Sequence, residues 1–159
     1  MRYWIGLGAN LGDRRATIEA AIERLGRDHL VEAVSHFYET APREVADQPT
    51  FLNAAVRVAS TLAPPALLGE MKRLERDLGR ASGGVRFGPR AIDCDLLVWE
   101  GGEWHDDSLE IPHPRLGERR FALLPLLDLD ADLTLPDGRA LADLEAALDP
   151  RQQPATRLS

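Results

Sequence analysis

The order in which two hydrophobic periods alternate between residues 3 and 99 most constrains what this chain can fold into. Residues 3–8, Tyr-Trp-Ile-Gly-Leu-Gly, read as a strand closed by the glycine-rich turn Gly8-Ala-Asn-Leu-Gly12. Asp13 then caps a helix in which Ile18, Ala21, Ile22 and Leu25 recur at helical spacing, with Gly26 suited to its stop. A second strand is expected from Leu30 to Tyr38, followed by a polar loop over 39–50 that holds Pro42 and Pro49. Phe51 to Val58 alternates cleanly: Leu52, Ala54, Val56 and Val58 face one way, and Phe51, Asn53, Ala55 and Arg57 the other. Pro64 and Pro65 open a second helix with the stripe Leu67, Met71, Leu74 and Leu78, ending before Gly79. Residues 80–90, with three Gly, one Pro, three Arg and no acid, read as a mobile basic loop. The next strand runs from Ala91 to Trp99. It sets Ile92, Cys94, Leu96 and Val98 opposite Asp93, Asp95 and Leu97. This β-α-β-β-α-β order is the ferredoxin-like α+β alternation, an antiparallel sheet with two helices on one face.

Beyond it, a short helix through Leu127 and a last one from Ala140 to Leu148 are expected to cover part of the other face. The reading is a single domain over 1–150, with 151–159 a disordered tail. A chain of 159 residues is long enough to bury a sizeable core unaided.

Nineteen basic against twenty-six acidic side chains give a net charge of −7, which argues against a binder of nucleic acid or of an anionic membrane surface. No apolar run approaches the ~20 residues of a membrane span, and the amino terminus lacks a signal-peptide layout. Of the nineteen basic residues only Lys72 is a lysine, so a phosphate loop with its Gly-Lys-Ser/Thr triplet is excluded. Anions must be handled by arginine. The one cysteine, Cys94, rules out an internal disulfide and any multi-cysteine zinc site, and fits a reducing, cytoplasmic setting.

Asp93-Cys94-Asp95 carries the strongest chemical signal. Residues two apart on a strand share a face with Cα atoms ~6–7 Å apart. Two such carboxylates repel unless a cation lies between them, and Mg²⁺ takes one or two carboxylates together with substrate phosphates. Two solvated aspartates on an edge strand are the plain alternative. The apolar strand and the arginines just before it, Arg80, Arg86 and Arg90, argue for a metal–nucleotide site, with guanidinium groups on the phosphates. Gly83-Gly84 would let that loop close over a substrate. Arg115, Arg119 and Arg120 form a second basic group. His113, between Pro112 and Pro114, is equally a hydrogen-bond donor to a phosphate oxygen or a structural loop residue. Phe51 beside Asn53 suits a flat heterocycle, with Phe121 a second stacking partner, although packing explains them as well. Gly6-Leu-Gly8-Ala-Asn-Leu-Gly12 departs from the dinucleotide fingerprint in spacing and is better read as a tight turn.

The segment Arg86-Phe-Gly-Pro-Arg-Ala-Ile-Asp-Cys-Asp-Leu-Leu97 resembles the signature of the 6-hydroxymethyl-7,8-dihydropterin pyrophosphokinase family of folate biosynthesis. The likeness extends to Gly8-Ala-Asn10, Phe37-Tyr-Glu-Thr-Ala-Pro42, Asp47 through Ala55, and Pro112-His-Pro-Arg115 through Phe121. It implies a ferredoxin-like enzyme that moves the β,γ-pyrophosphoryl group of ATP to the pterin hydroxymethyl oxygen and releases AMP. By position it implies Asp93 and Asp95 as ligands of two Mg²⁺ ions, and Arg80 and Arg90 as catalytic arginines on the ATP phosphates. Leu96, His113 and Arg119 are implied as further ATP contacts, and Thr40, Phe51, Asn53 and Phe121 as pterin contacts. ATP and the pterin are then the partners, without nucleic acid or membrane, and a monomer is expected.

Three departures stand out. Cys94 replaces an aliphatic residue on the core face, Phe87 the commoner Trp, and Gly83-Gly84 charged side chains; fewer loop–phosphate contacts are expected. A non-catalytic ferredoxin-like sensor or RNA-binding sheet is the competing class. Net −7 weighs against the second, and carboxylates beside arginine-rich segments weigh against the first. Another Mg-dependent phosphoryl or nucleotidyl transferase is separated from this reading only by the pterin residues.

Overall fold

The central strand is the one whose alternation is cleanest. In the computed structural model, which describes residues 1–41, 50–81 and 91–158, strand β4 (Phe51–Ala59) sends Leu52, Ala54, Val56 and Val58 into one buried cluster and Ala55 into another. On one side it pairs antiparallel with β1 (Arg2–Ala9), which in turn pairs antiparallel with β5 (Asp93–Trp99). The other edge of β4 is shared end to end by β2 (Leu30–Val34) and β3 (Phe37–Thr40). The expected single strand from Leu30 to Tyr38 is therefore two. At the break the Ser35 hydroxyl accepts the Ala55 N–H at 2.8 Å in place of a strand carbonyl, and that substitution interrupts the ladder.

Helices α1 (Arg14–Asp28) and α2 (Pro64–Ala81) pack on one face of the sheet. The Asp13 carboxylate accepts the Ala16 N–H at 3.1 Å and starts α1 as expected. Both helices run past the glycines read as their stops, Gly26 and Gly79. A helical glycine costs only about 1 kcal/mol, too little to end a helix whose apolar stripe is packed. Ile18, Ala21 and Leu25 of α1 meet Leu67, Met71 and Leu74 of α2 and Tyr3, Ile5 and Leu7 of β1 in this core.

The second face is covered by α3 (Arg120–Leu129) and α4 (Leu141–Ala146), which bury Leu123, Leu126 and Leu141 against Trp4, Ala55 and Leu97. Val98 also lies in this second cluster, not beside Cys94 and Leu96. The register explains it: Ile5 pairs with Leu96 but Trp4 with Val98, so one extra residue, Leu97, is bulged out of β5. Two short strands, β6 (Trp104–His105) and β7 (Glu110–Ile111), form a hairpin outside the main sheet.

The tail expected to be disordered is instead a strand. Ala155–Leu158, here β8, pairs antiparallel with β3 from Phe37 opposite Leu158 to Thr40 opposite Ala155. Without it β3 would present an open edge, and Leu158 also packs against the first core. The architecture is ferredoxin-like α+β with an antiparallel sheet of order β5-β1-β4-β3-β8 and helices on both faces. Among the described residues no helix is long and apolar enough to cross a membrane.

Candidate active site

The register of three strands lays out a small grid on the sheet face that α3 only partly covers. In one row Gly8 stands between Asn53 on β4 and Asp93 on β5. In the next row Gly6 stands between Ala55 and Asp95. Neighbouring strands lie ~4.8 Å apart, so the glycine strip separates the amide side from the carboxylate side by roughly 10 Å. Side chains at 6 and 8 would fill that gap. A Cβ on Gly8 would come 2.8 Å from the Asn53 Oδ1, and one on Gly6 would come 2.9 Å from the Leu97 Cδ1. Both glycines belong to this cavity floor rather than to a turn, which begins only after Ala9. A strand glycine marks a close approach, and that signal was present in the sequence.

Above the floor is a cavity of about 270 Å³, lined by Thr40, Phe51, Asn53, Asp93, Asp95 and Phe121 among others, with Arg115 and Arg119 also in its wall. Seven expected ligand or metal contacts, Arg119 among them, thus meet in one space from β3, β4, β5 and the start of α3. The Asn53 Nδ2 donates to the Thr40 Oγ1 at 2.7 Å, and both residues are buried. The Arg119 guanidinium lies 5.6 Å from the Phe121 ring centroid, within cation–π range.

Asp95 is also a wall of a second recess, of about 380 Å³, shared with Leu96, His113, Leu68 and Ser108. β5 is the last strand of the sheet, and this recess lies along its outer side, where residues 106–110 and His113 also line it. His113 is brought there by the bulge: its N–H donates to the carbonyl of the displaced Leu97 at 3.0 Å. Its Nδ1 accepts the Arg115 N–H at 3.1 Å, so the neutral ring carries its proton on Nε2. Burial lowers the His113 pKa below the ordinary histidine value, with Asp95 opposing that shift.

Cys94 faces the first core, as expected for a small apolar residue. Burial first, then the charges of Glu75, Asp95 and Asp93, push its thiol well above the usual range, so it stays protonated. Its N–H donates to the Glu75 Oε2 at 2.9 Å, tying α2 to the carboxylate strand.

Not every expected residue joins the site. Arg120 is turned away and bound to Glu145 and to the carbonyl of Gln153. Arg80 stands in the last turn of α2, with its side chain outside the described residues. Arg86, Phe87, Arg90 and Gly83-Gly84 lie outside them altogether. Among the described residues no group of three or more His, Cys, Asp or Glu is placed to hold a metal ion. Two carboxylates on one cavity wall are the donor set for a hard ion that draws its remaining ligands from water and phosphate, which Mg²⁺ fits.

Fold and site together define a ferredoxin-like α+β domain with a small-molecule cavity set beside a carboxylate pair. Over residues 4–131 the chain matches the model of the 7,8-dihydro-6-hydroxymethylpterin-pyrophosphokinase (HPPK) family. It belongs to that family. It is 41% identical over 149 residues to the 2-amino-4-hydroxy-6-hydroxymethyldihydropteridine pyrophosphokinase of Pseudomonas aeruginosa, covering 92% of this chain and 91% of that one. It is 44% identical over 127 residues to a mitochondrial folate synthesis bifunctional protein of Pisum sativum, covering 79% of this chain. There the match spans only 24% of the relative, about a quarter of its length. In fold it resembles the crystal structure of Plasmodium falciparum HPPK-DHPS wild type, with a TM-score of 0.73 at 15% identity, covering 91% of this chain and 40% of that one.

Proposed function

We propose that this protein transfers the pyrophosphoryl group of ATP to the hydroxymethyl group of 6-hydroxymethyl-7,8-dihydropterin, with AMP as the second product. The observation that carries this reading is the glycine strip, which offers a flat heterocycle a floor between Asn53 and the two aspartates. The ring would lie between Phe51 and Phe121, with the Asn53 amide reading one edge of the heterocycle. That orientation points the hydroxymethyl arm toward Asp93 and Asp95, the second of which also lines the other recess. The triphosphate would enter through that recess, past Leu96 and His113.

In the transfer the hydroxyl oxygen attacks the β-phosphorus, and the bond from that phosphorus to the bridging oxygen of the α-phosphate breaks. AMP leaves with the bridging oxygen, and the hydroxyl proton passes to water. Such a step needs positioning and neutralisation of oxygen charge more than covalent help. Asp93 and Asp95 would hold two Mg²⁺ ions. Bound there, magnesium supplies Lewis-acid neutralisation of phosphate oxygen and lowers the pKa of the attacking hydroxyl. His113 donates from Nε2 to a phosphate oxygen. Arg119 on the cavity wall, with Arg80 and Arg90, takes phosphate charge. A monomer in a reducing, cytoplasmic setting completes the proposal.

The test mixes purified protein with Mg²⁺, ATP and 6-hydroxymethyl-7,8-dihydropterin. AMP and pterin diphosphate should appear in equal amounts. ADP in place of AMP, or AMP formed without pterin, would refute the assignment.

A further inference from the structure

Arg119 sits at the start of α3 in extended backbone, φ −119° and ψ 95°, and its side chain does not cap that helix. The first backbone donors of a helix have no partner within it, so an uncapped start is held from elsewhere. Here the partner lies thirty-three residues further on. The Gln153 Oε1 accepts the Arg120 N–H at 2.8 Å, and its Nε2 donates to the Glu118 carbonyl at 2.9 Å. One primary amide therefore grips the backbone on both sides of Arg119. An ionised carboxylate of the same length could not do this, since the first contact needs an acceptor and the second a donor. Arg120 reinforces the grip by donating from its guanidinium to the Gln153 carbonyl at 3.0 Å and to the Glu145 Oε1 at 3.0 Å. Two residues after Gln153 the chain enters β8, where Ala155 pairs with Thr40 on the same cavity's rim.

We infer that Gln153 is a positioning residue: its side-chain amide brackets Arg119 and so sets where Arg119 and Phe121 stand in the cavity wall. The C-terminal segment, beyond the residues that match the family model, is thereby part of the ligand-binding apparatus. This rests on the proposed pterin cavity but not on the proposed transfer.

The experiment compares wild type with Gln153→Ala, Gln153→Glu and, as a control in the same tail, Thr156→Ala. Binding of oxidised 6-hydroxymethylpterin without ATP, amide hydrogen exchange in the free protein, and steady-state kinetics are measured. Gln153→Ala should speed exchange at the Arg120 amide and weaken pterin binding by about tenfold. Gln153→Glu keeps the acceptor and loses the donor. It should leave Arg120 protected yet still weaken pterin binding, and raise KM more than it lowers kcat. Thr156→Ala, on an exposed strand position, should match wild type throughout.

Unchanged pterin affinity in Gln153→Ala overturns the inference, as does an equal loss in Thr156→Ala, which would make the tail a stabiliser only. Should Gln153→Ala not fold, normal affinity in Gln153→Glu overturns it alone. A wild-type protein that binds pterin without forming AMP refutes the transfer and leaves the bracket to be judged by binding. One that neither binds pterin nor forms AMP with it overturns both.

Discussion

The amide of Asn53 and the hydroxyl of Thr40 are joined at 2.7 Å across the β3–β4 ladder, with Asn53 Nδ2 donating. Both residues are buried, and both line the cavity beside the glycine floor on β1. The bond leaves the Asn53 Oδ1 directed over Gly8.

Thr40→Val keeps the shape and removes the acceptor. A buried donor left unpaired costs about 1–3 kcal/mol. For a chain of this size that is a fall in Tm of roughly 3–10 °C by thermal denaturation. Because the freed amide can rotate, pterin affinity should drop as well. Asn53→Ala should remove affinity more completely while destabilising less, since the Thr40 hydroxyl left behind can find another partner.

The two floor glycines should respond differently to the same substitution. Gly8→Ala drives a methyl to 2.8 Å from the Asn53 Oδ1 and within 3.9 Å of the Leu52 carbonyl, so the amide must give way. Gly6→Ala meets at 2.9 Å the end of the Leu97 side chain, which can change rotamer. Isothermal titration with the pterin should show a loss of tenfold or more for Gly8→Ala and a much smaller one for Gly6→Ala. Equal losses would mean that the floor's shape, not the Asn53 amide, decides binding.

Asp95 walls both recesses and should be the least replaceable carboxylate. Asp95→Asn is expected to reduce kcat by at least about a hundredfold, the scale on which removing one charge-stabilising group acts. The same change relieves repulsion with Asp93, so metal-free thermal stability should hold or rise. Near wild-type turnover in that variant would refute the metal assignment.

The alternation of Phe51 to Val58 and the stripes of both helices made the sheet and its first core legible, because period alone decides which face is buried. Asp93, Asp95, Phe51, Asn53 and Phe121 were equally legible, lying on strand faces or in motifs of local sequence. What escaped depends on pairing between distant segments. The Leu97 bulge moves Val98 to the other core and seats His113, and it exists only in the register of β5 against β1. The break at Ser35 needs the Ala55 N–H across the ladder. The tail reads as polar until β3 offers it an edge. Arg120 looks like one more site arginine until Glu145 and Gln153 claim it.

His113 should be neutral at pH 7, with its proton on Nε2. Burial lowers its pKa in the folded state, so between that depressed value and the ordinary one near ~6.5 the unfolded chain binds more protons than the native one. Stability therefore rises with pH through that window. The contribution is fully present above the unfolded value and is lost as pH falls through the folded one. Urea midpoints measured from pH 7.5 down to 5 should decline more steeply for wild type than for His113→Gln, which cannot titrate. Nitrogen-15 spectra of the imidazole should show Nδ1 unprotonated at pH 7, as its bond from the Arg115 N–H requires. A charged His113 at pH 7, or identical pH slopes in the two proteins, would refute the assigned tautomer or its linkage to folding.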